Sequence, residues 1–275
     1  MNNALYRSAS LRRIESAHAK EPLMQRAGAA AAAWAAELAI QRERPVLVLA
    51  GPGNNGGDAF EAARLLRERF FETCVVFKGD AEHLPPDAAA ARRRFVEAGG
   101  STIESVPEER RWSLIIDGLF GIGLARAPAG HYANWITVAN DAAARDSCPL
   151  LALDCPSGLD ADTGRAFSPC IQATHTLTFI AAKPGLLTAD GPDLCGELRV
   201  ASLDLPSASE VAADGHQLAL ADFSSHLLPR RLNSHKGSFG SAGILGGSPS
   251  MVGAAFLTGR AALKLGAGRV YLGLL

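Results

Sequence analysis

The stretch Pro45-Val46-Leu47-Val48-Leu49-Ala50-Gly51-Pro52-Gly53-Asn54-Asn55-Gly56-Gly57-Asp58 decides how the chain reads. Val46 to Ala50 is an unbroken apolar run, too short for a helix and bounded by Pro45 and Gly51. Such a run reads as a strand buried on both faces, the kind found inside a parallel sheet. The glycines that follow let the backbone turn sharply and bring its N–H groups close to a ligand, because no Cβ blocks the approach. Past Ala59, the apolar residues Phe60, Ala63, Leu66 and Phe70 recur as one face of a helix. A strand, a glycine turn and a helix N-terminus together make an anion site suited to phosphate.

Gly51, Gly53 and Gly56 satisfy the G-x-G-x-x-G spacing of a dinucleotide-binding turn, in the strand–turn–helix context that motif requires. No Gly-Lys-Ser/Thr follows, so the turn is not a P-loop. The generic motif leaves Asn54, Asn55 and Asp58 unexplained. Singly, such residues are ordinary in turns. Three side-chain oxygens together at the carboxyl end of a strand point to a ligand or cation site.

Outward from this centre, residues 4–20 and 22–41 read as two helices, the second carrying the Ala29–Ala33 run, whose small side chains permit close packing. Residues 73–78 read as a strand and 86–98 as a helix whose Arg92-Arg93-Arg94 run is a solvated face. Residues 112–116 form a strand ending on Asp117, followed by the glycine-rich Gly118-Leu119-Phe120-Gly121-Ile122-Gly123. A helix over 130–146 leads to a strand over 149–153 ending on Asp154, and strands at 174–181 and 197–204 complete the sheet. This alternation predicts an α/β doubly wound, Rossmann-like sandwich around a mostly parallel sheet. Ligands of such sheets bind outside the carboxyl ends of the strands, so Asn55, Asp58, Asp117, Asp154 and Ser157 are expected to converge there. His18, His83 and His175 have no metal-spaced partner and read as structural or surface residues.

Composition sets the outer limits. The chain of 275 residues has room for one large or two small domains, and its net charge of −1 gives no bulk attraction to nucleic acid or membrane. Its 5 cysteines include no C-x-x-C pair, which suits a reducing, cytoplasmic setting. No run approaches the roughly 18 apolar residues of a membrane span. The charged start (Arg7, Arg12, Arg13, Glu15) lacks the apolar core of a secretory signal.

Three loops resemble the NAD(P)H-hydrate epimerase family, the YjeF N-terminal domain. Gly-Pro-Gly-Asn-Asn-Gly-Gly-Asp stands at 51–58, Asp-Gly-Leu-Phe-Gly-Ile-Gly at 117–123 and Asp-Cys-Pro-Ser-Gly at 154–158, in the family's order. Phe179, Lys183, Pro184 and Gly185 also match, and the likeness covers residues 5–205. Ala59 departs from the family's further glycine but keeps a small residue. The tail resembles a second family. Leu228-Pro229-Arg230-Arg231, His235-Lys236-Gly237-Ser238-Phe239-Gly240 and Ile244-Leu245-Gly246-Gly247-Ser248 look like the opening of the ADP-dependent NAD(P)H-hydrate dehydratase domain, a ribokinase-like fold. The resemblance thus implies an epimerase domain over 1–215 and an incomplete dehydratase start over 225–275. The later loop carrying the dehydratase aspartate is missing from these residues, so the expectation is a piece of a longer bifunctional protein, with ADP or ATP relevant only to the missing part.

The implied reaction is an isomerisation. It inverts C6 of the hydrated nicotinamide ring of NADH or NADPH, between the R and S hydrates. The resemblance implies Asp154 as acid/base and a potassium ion held by Asn55, Asp117 and Ser157. It implies a substrate site at Asn54, Asn55, Gly56, Gly57, Asp58, Gly121, Ile122, Gly123, Leu124, Ala125, Arg126, Ala127 and Asp154, with Arg126 as a charge partner for phosphate, and a homodimer. Two other readings stand beside it: a non-catalytic binding or scaffold module on the same fold, and an NAD-dependent dehydrogenase using Asp80 on a ribose.

Overall fold

The computed structural model describes residues 3–124, 126–205, 211–226 and 229–274. Contacts divide the chain into one unit up to Leu218 and another from Ala219. In the first unit, strands β1 (Ala4–Leu5), β2 (Val46–Ala50), β3 (Thr73–Val76), β4 (Thr102–Ile103), β5 (Leu114–Gly118), β6 (Leu150–Leu153), β7 (His175–Phe179), β8 (Glu197–Ala201) and β9 (Gly215–His216) alternate with helices. These are α1 (Ser8–Ala17), α2 (Leu23–Leu38), α3 (Asn54–Glu68), α4 (Pro86–Glu97), α5 (His131–Asp146) and the short α6 (Gly191–Leu194).

Seven strands form one parallel sheet in the order β4-β3-β2-β5-β6-β7-β8. The expected doubly wound α/β architecture is therefore present. The chain runs outward from β2 to β4, then returns past β2 and runs the other way from β5. The switch point lies between β2 and β5, where a doubly wound sheet opens its ligand crevice.

Alternation along each strand divides the core between two layers. Val46, Val48 and Ala50 of β2 pack with Phe60, Ala63, Leu66, Trp34 and Phe95 under α2, α3 and α4. Leu47 and Leu49 pack with Trp112, Trp135, Ile136 and Ala139 under α5. All five residues of β2 are fully buried, and such burial contributes about 1.5–3 kcal/mol for each larger aliphatic side chain. The alanine-rich α2 packs closely on α3: a Cβ at Gly28 would lie 2.4 Å from Cβ of Glu61.

Several expectations need correction. Residues 4–20 are not one helix. Ala4 and Leu5 pair antiparallel with His216 and Gly215, and α1 starts only at Ser8, after extended backbone at Arg7. Strand β5 is shifted two residues later than expected, so Asp117 lies inside the strand rather than after it. The shift follows from the ladder, which pairs Val46 with Leu114 and Leu49 with Asp117. The Arg92–Arg94 run is not simply solvated. Arg94 reaches the buried carboxylate of Glu61 at 3.2 Å, which Arg64 also holds, and the Arg92 guanidinium lies 5.6 Å from the Phe77 ring centroid.

The glycine turn is held by close backbone approach. A Cβ on Gly51 would stand 1.8 Å from the carbonyl oxygen of Leu119, and one on Gly56 would stand 2.0 Å from the carbonyl oxygen of Gly51. Gly51→Ala is therefore expected to destabilise by about 3 kcal/mol or more, since only backbone movement relieves the overlap. A melting temperature within a degree of the parent's would show that the loops yield more easily than this packing implies.

The second unit holds α7 (Leu220–Phe223), β10 (Ser241–Gly246), α8 (Val252–Leu265) and β11 (Arg269–Leu274). Its two strands pair in parallel from Ser241↔Arg269 to Gly246↔Leu274. Exposed apolar side chains are numerous, among them Phe256, Leu257, Leu263, Tyr271 and Leu274.

Candidate functional site

The carboxyl ends of β2, β5, β6 and β7 enclose a cleft of about 380 Å³. The first turn of α3 contributes Asn54 and Asn55, and Asp58 follows one turn on. The loop after β5 contributes Leu119 to Gly123, and β6 ends at Asp154. Phe179 and Lys183 come from β7 and beyond, and α1 supplies Leu11, Arg12 and Glu15. Two interactions seat α1 on this edge. Asp162 accepts from the backbone N–H of Ser8 (2.7 Å) and from its hydroxyl (2.8 Å), and Leu11 and Ile14 pack on Ala181.

Asp154 sits at φ 66, in the left-handed region, where Asp is among the few residues tolerated. Its backbone N–H donates to Leu177 at 2.7 Å. Its Oδ2 accepts from the N–H of Ile122 at 3.0 Å. Its Oδ1 accepts from Nζ of Lys183 at 2.5 Å. Lys183 is 1% exposed. Its ammonium also donates to Oγ1 of Thr178 (2.5 Å) and to the carbonyl of Phe179 (3.0 Å), so all three of its protons are placed. The loop after β5 lies close over this carboxylate. A Cβ on Gly121 would meet Oδ2 of Asp154 at 2.5 Å, so only glycine passes there.

Deeper between β5 and β6, Asp117 is wholly buried. Its Oδ1 accepts from the Ser157 hydroxyl (2.7 Å) and the Leu119 N–H (3.2 Å), and its Oδ2 from the Ser157 N–H (2.8 Å). Burial outweighs these bonds and pushes its carboxyl up to about 6. Ser157 Oγ in turn accepts from the N–H of Phe120 at 2.9 Å. Asn55 donates to the carbonyl of Leu153 at 3.1 Å. Its Oδ1 is buried and has no hydrogen-bond partner among the described residues.

The sequence-predicted set is thus partly gathered. Asn54, Asn55, Asp58, Gly121, Ile122, Gly123 and Asp154 line the cleft. Gly56 and Gly57 lie behind it, where their missing Cβ atoms admit Gly51 and Met24. Leu124, Arg126 and Ala127 lie outside the lining, and Arg126 and Ala127 are exposed to solvent. Ala125 falls outside the described residues. Ala59 is fully buried, and a Cβ on Gly118 would come 2.5 Å from its own. Asp80, the ribose candidate of the dehydrogenase reading, instead caps its own turn through the Glu82 N–H and pairs with His83. His18 contacts the carbonyl of Ile14, and His175 packs edge-on against Trp34.

Arg12, Glu15 and the Lys183–Asp154 pairing were missed by sequence reasoning. Positions 12 and 15 share one face of α1 by their i,i+3 spacing, but charged residues on a terminal helix give no ligand signal of their own.

The fold and cleft define a Rossmann-like α/β protein with a lysine-braced carboxylate at the end of β6, one strand beyond its switch point. The chain belongs to the family described as YjeF-related protein N-terminus, whose model matches residues 20–185. It is 42% identical over 250 residues to the bifunctional NAD(P)H-hydrate repair enzyme Nnr of Escherichia coli, covering 90% of this chain and 48% of that protein. It is 46% identical over 185 residues to the NAD(P)H-hydrate epimerase of Achromobacter xylosoxidans, covering 66% of this chain and 85% of that one. The crystal structure of yeast ynu0 superposes with a TM-score of 0.51 at 20% identity, covering 59% of this chain and 72% of that chain, which bears on the fold alone. The chain spans about half the length of the bifunctional relatives it matches.

Proposed function

We propose that this protein is an isomerase that interconverts the R and S hydrates of NADH and NADPH at C6 of the nicotinamide ring. The observation that carries this reading is a carboxylate, Asp154, held at the cleft by a buried ammonium and a backbone N–H. C6 adjoins the ring nitrogen, so its hydroxyl can leave as water once it is protonated and the nitrogen lone pair pushes. Water returning to the other face of the planar cation inverts the centre. The chain must hold the ring beside a group that moves a proton, and Asp154 is that group. The names borne by the relatives favour this over a scaffold or a conventional dehydrogenase. Incubation with racemic hydrated NADH, with the two epimers followed by chromatography, tests it. No acceleration above the spontaneous background would refute it.

The dinucleotide's phosphates need cations. Among the described residues only Arg12 and Lys183 are cationic side chains lining the cleft, and Lys183 is committed to Asp154. Arg12 therefore takes the role expected of Arg126. Arg12→Gln is expected to raise KM several-fold with kcat little changed, the pattern of lost uniform binding. An unchanged KM would return the role to Arg126.

Asn55, Asp117 and Ser157 suit a hard monovalent cation such as potassium, because all offer oxygen and the Asn55 Oδ1 has no hydrogen-bond partner among the described residues. Bound there, the ion would supply fixed positive charge beside the cleft. Asp117 makes this testable. Its carboxyl rises on folding from 3.8 to about 6, so without the ion its contribution to stability is fully present below 3.8 and is lost as pH rises through about 6. Potassium favours the carboxylate, so the gain in melting temperature from potassium over a bulky organic cation should open across that window. Asp117→Ala should abolish the gain. An equal gain at every pH, or one surviving in Asp117→Ala, would place the ion elsewhere.

The segment from residue 225 fits the start of an ADP-dependent dehydratase domain, and in a longer protein the epimerase would feed that lyase. We further propose that the protein works in the cytoplasm as a homodimer, and light scattering reads the dimer directly.

A further inference from the structure

Inversion at one carbon sets a geometric requirement. On the epimerase reading, on which this inference rests, a proton is given on one face of the ring and taken on the other. Asp154 alone serves one side.

Three carboxyls line the cleft, Glu15, Asp58 and Asp154, and besides Asp154 only Asp58 faces it from a buried position, Glu15 being exposed. Asp58 is 9% exposed, and among the described residues its side chain has neither a hydrogen-bond nor an ion-pair partner. A carboxyl so placed is costly as an anion. Burial, then the charges of Asp154 and Glu15, push it well above its ordinary range, with Lys183 pulling the other way. Asp154 has the opposite surroundings, an ammonium and a backbone donor on its two oxygens. Contrasting environments are how two carboxyls divide acid and base roles. Topology keeps the two apart. Asp58 follows β2, Asp154 ends β6, and β5 lies between them. Both side chains nevertheless line the same cleft, Asp58 from α3 and Asp154 from the end of β6, and its volume of about 380 Å³ has room for a nicotinamide ring and a water.

We propose that Asp58 and Asp154 form a two-sided acid–base pair, one carboxyl serving each face of the nicotinamide ring. For the epimer whose hydroxyl faces Asp58, the Asp58 carboxyl gives its proton to that oxygen. The C6–O bond breaks with its electron pair on oxygen, water leaves, and the ring-nitrogen lone pair forms the C=N bond. On the far face, a water oxygen bonds to C6, the C=N pair returns to nitrogen, and Asp154 takes the surplus proton. No electron is gained or lost. The proton ends on Asp154, the state that runs the reverse inversion.

Exchange of the hydroxyl with heavy-oxygen water separates this from other roles. Each purified epimer of hydrated NADH is incubated with the parent, Asp58→Asn or Asp154→Asn in such water. Label uptake and inversion are followed by mass spectrometry after chromatography, with the protein-free background subtracted. The parent should exchange and invert both epimers. Each variant should lose inversion at least about a hundredfold and still exchange one epimer with retention, and the two variants should spare opposite epimers. Loss of exchange and inversion together for both epimers, sparing of the same epimer by both variants, or inversion by Asp58→Asn within a few-fold of the parent would overturn the pair. Should Asp58→Asn not fold, Asp154→Asn still decides, since the pair requires it to keep one-sided exchange. A parent that inverts neither epimer refutes the epimerase reading itself.

Discussion

Asp154→Asn is expected to bind the cofactor as the parent does and to lose at least about a hundredfold in turnover. Asparagine keeps the shape of the side chain, can still accept the N–H of Ile122 that now bonds Oδ2 at 3.0 Å, and tolerates the left-handed backbone found at this position. What it cannot do is exchange a proton or neutralise the Lys183 ammonium, which its amide nitrogen would face, so the variant's folding is checked by its melting temperature before its turnover is read. The change therefore removes an interaction that matters in the transition state and spares those made equally in the ground state. Calorimetry with NADH reads binding, and chromatography of the hydrate epimers reads turnover. Residual inversion at the spontaneous rate is expected. If Asp154→Asn inverts within a few-fold of the parent, the proton passes through another group.

How far the sequence carried depends on the range of the interaction involved. The run Val46–Ala50 is legible because a strand buried on both faces has no polar alternation, and the structure buries all five residues. The convergence of Asn55, Asp58 and Asp154 on one cleft was legible from topology, since parallel strands deliver their carboxyl ends to one edge. Strand β1 was not, because Ala4 and Leu5 are extended through pairing with residues more than two hundred positions away, and local spacing favoured a helix there. The glycines at 56 and 57 show a different limit, since close packing explains them whether or not a ligand does. A glycine kept for a ligand and one kept for packing look alike in sequence, and the approach of Gly51 to Gly56 and of Met24 to Gly57 appears only in the fold. The place of Arg12 depends on how α1 docks through Ser8 and Asp162, a contact 154 residues apart in sequence.

Lys183→Met is expected to destabilise the unit that contains the cleft by about 3–5 kcal/mol, the cost of removing one partner from a buried ion pair. The side chain is 1% exposed and that of Asp154 13%, so water can replace little of the lost ammonium. Methionine fills much of the same volume with no donor. It leaves Asp154 Oδ1, Thr178 Oγ1 and the Phe179 carbonyl without the bonds they now share. At roughly 2–4 °C per kcal/mol for a unit of this size, the transition should fall by about 10 °C. All 3 tryptophans, at 34, 112 and 135, lie before Leu218, so their fluorescence reports this unit apart from the rest. A double-mutant cycle identifies the cause. If the stranded carboxylate is what destabilises, Lys183→Met with Asp154→Asn should be more stable than Lys183→Met alone, since no buried charge remains unpaired. If the lysine mattered only as packing, the two losses would add. A Lys183→Met protein within about 1 kcal/mol of the parent would mean the pair is no better than an exposed salt bridge. Asp154 would then owe its position to the Ile122 N–H and its own backbone.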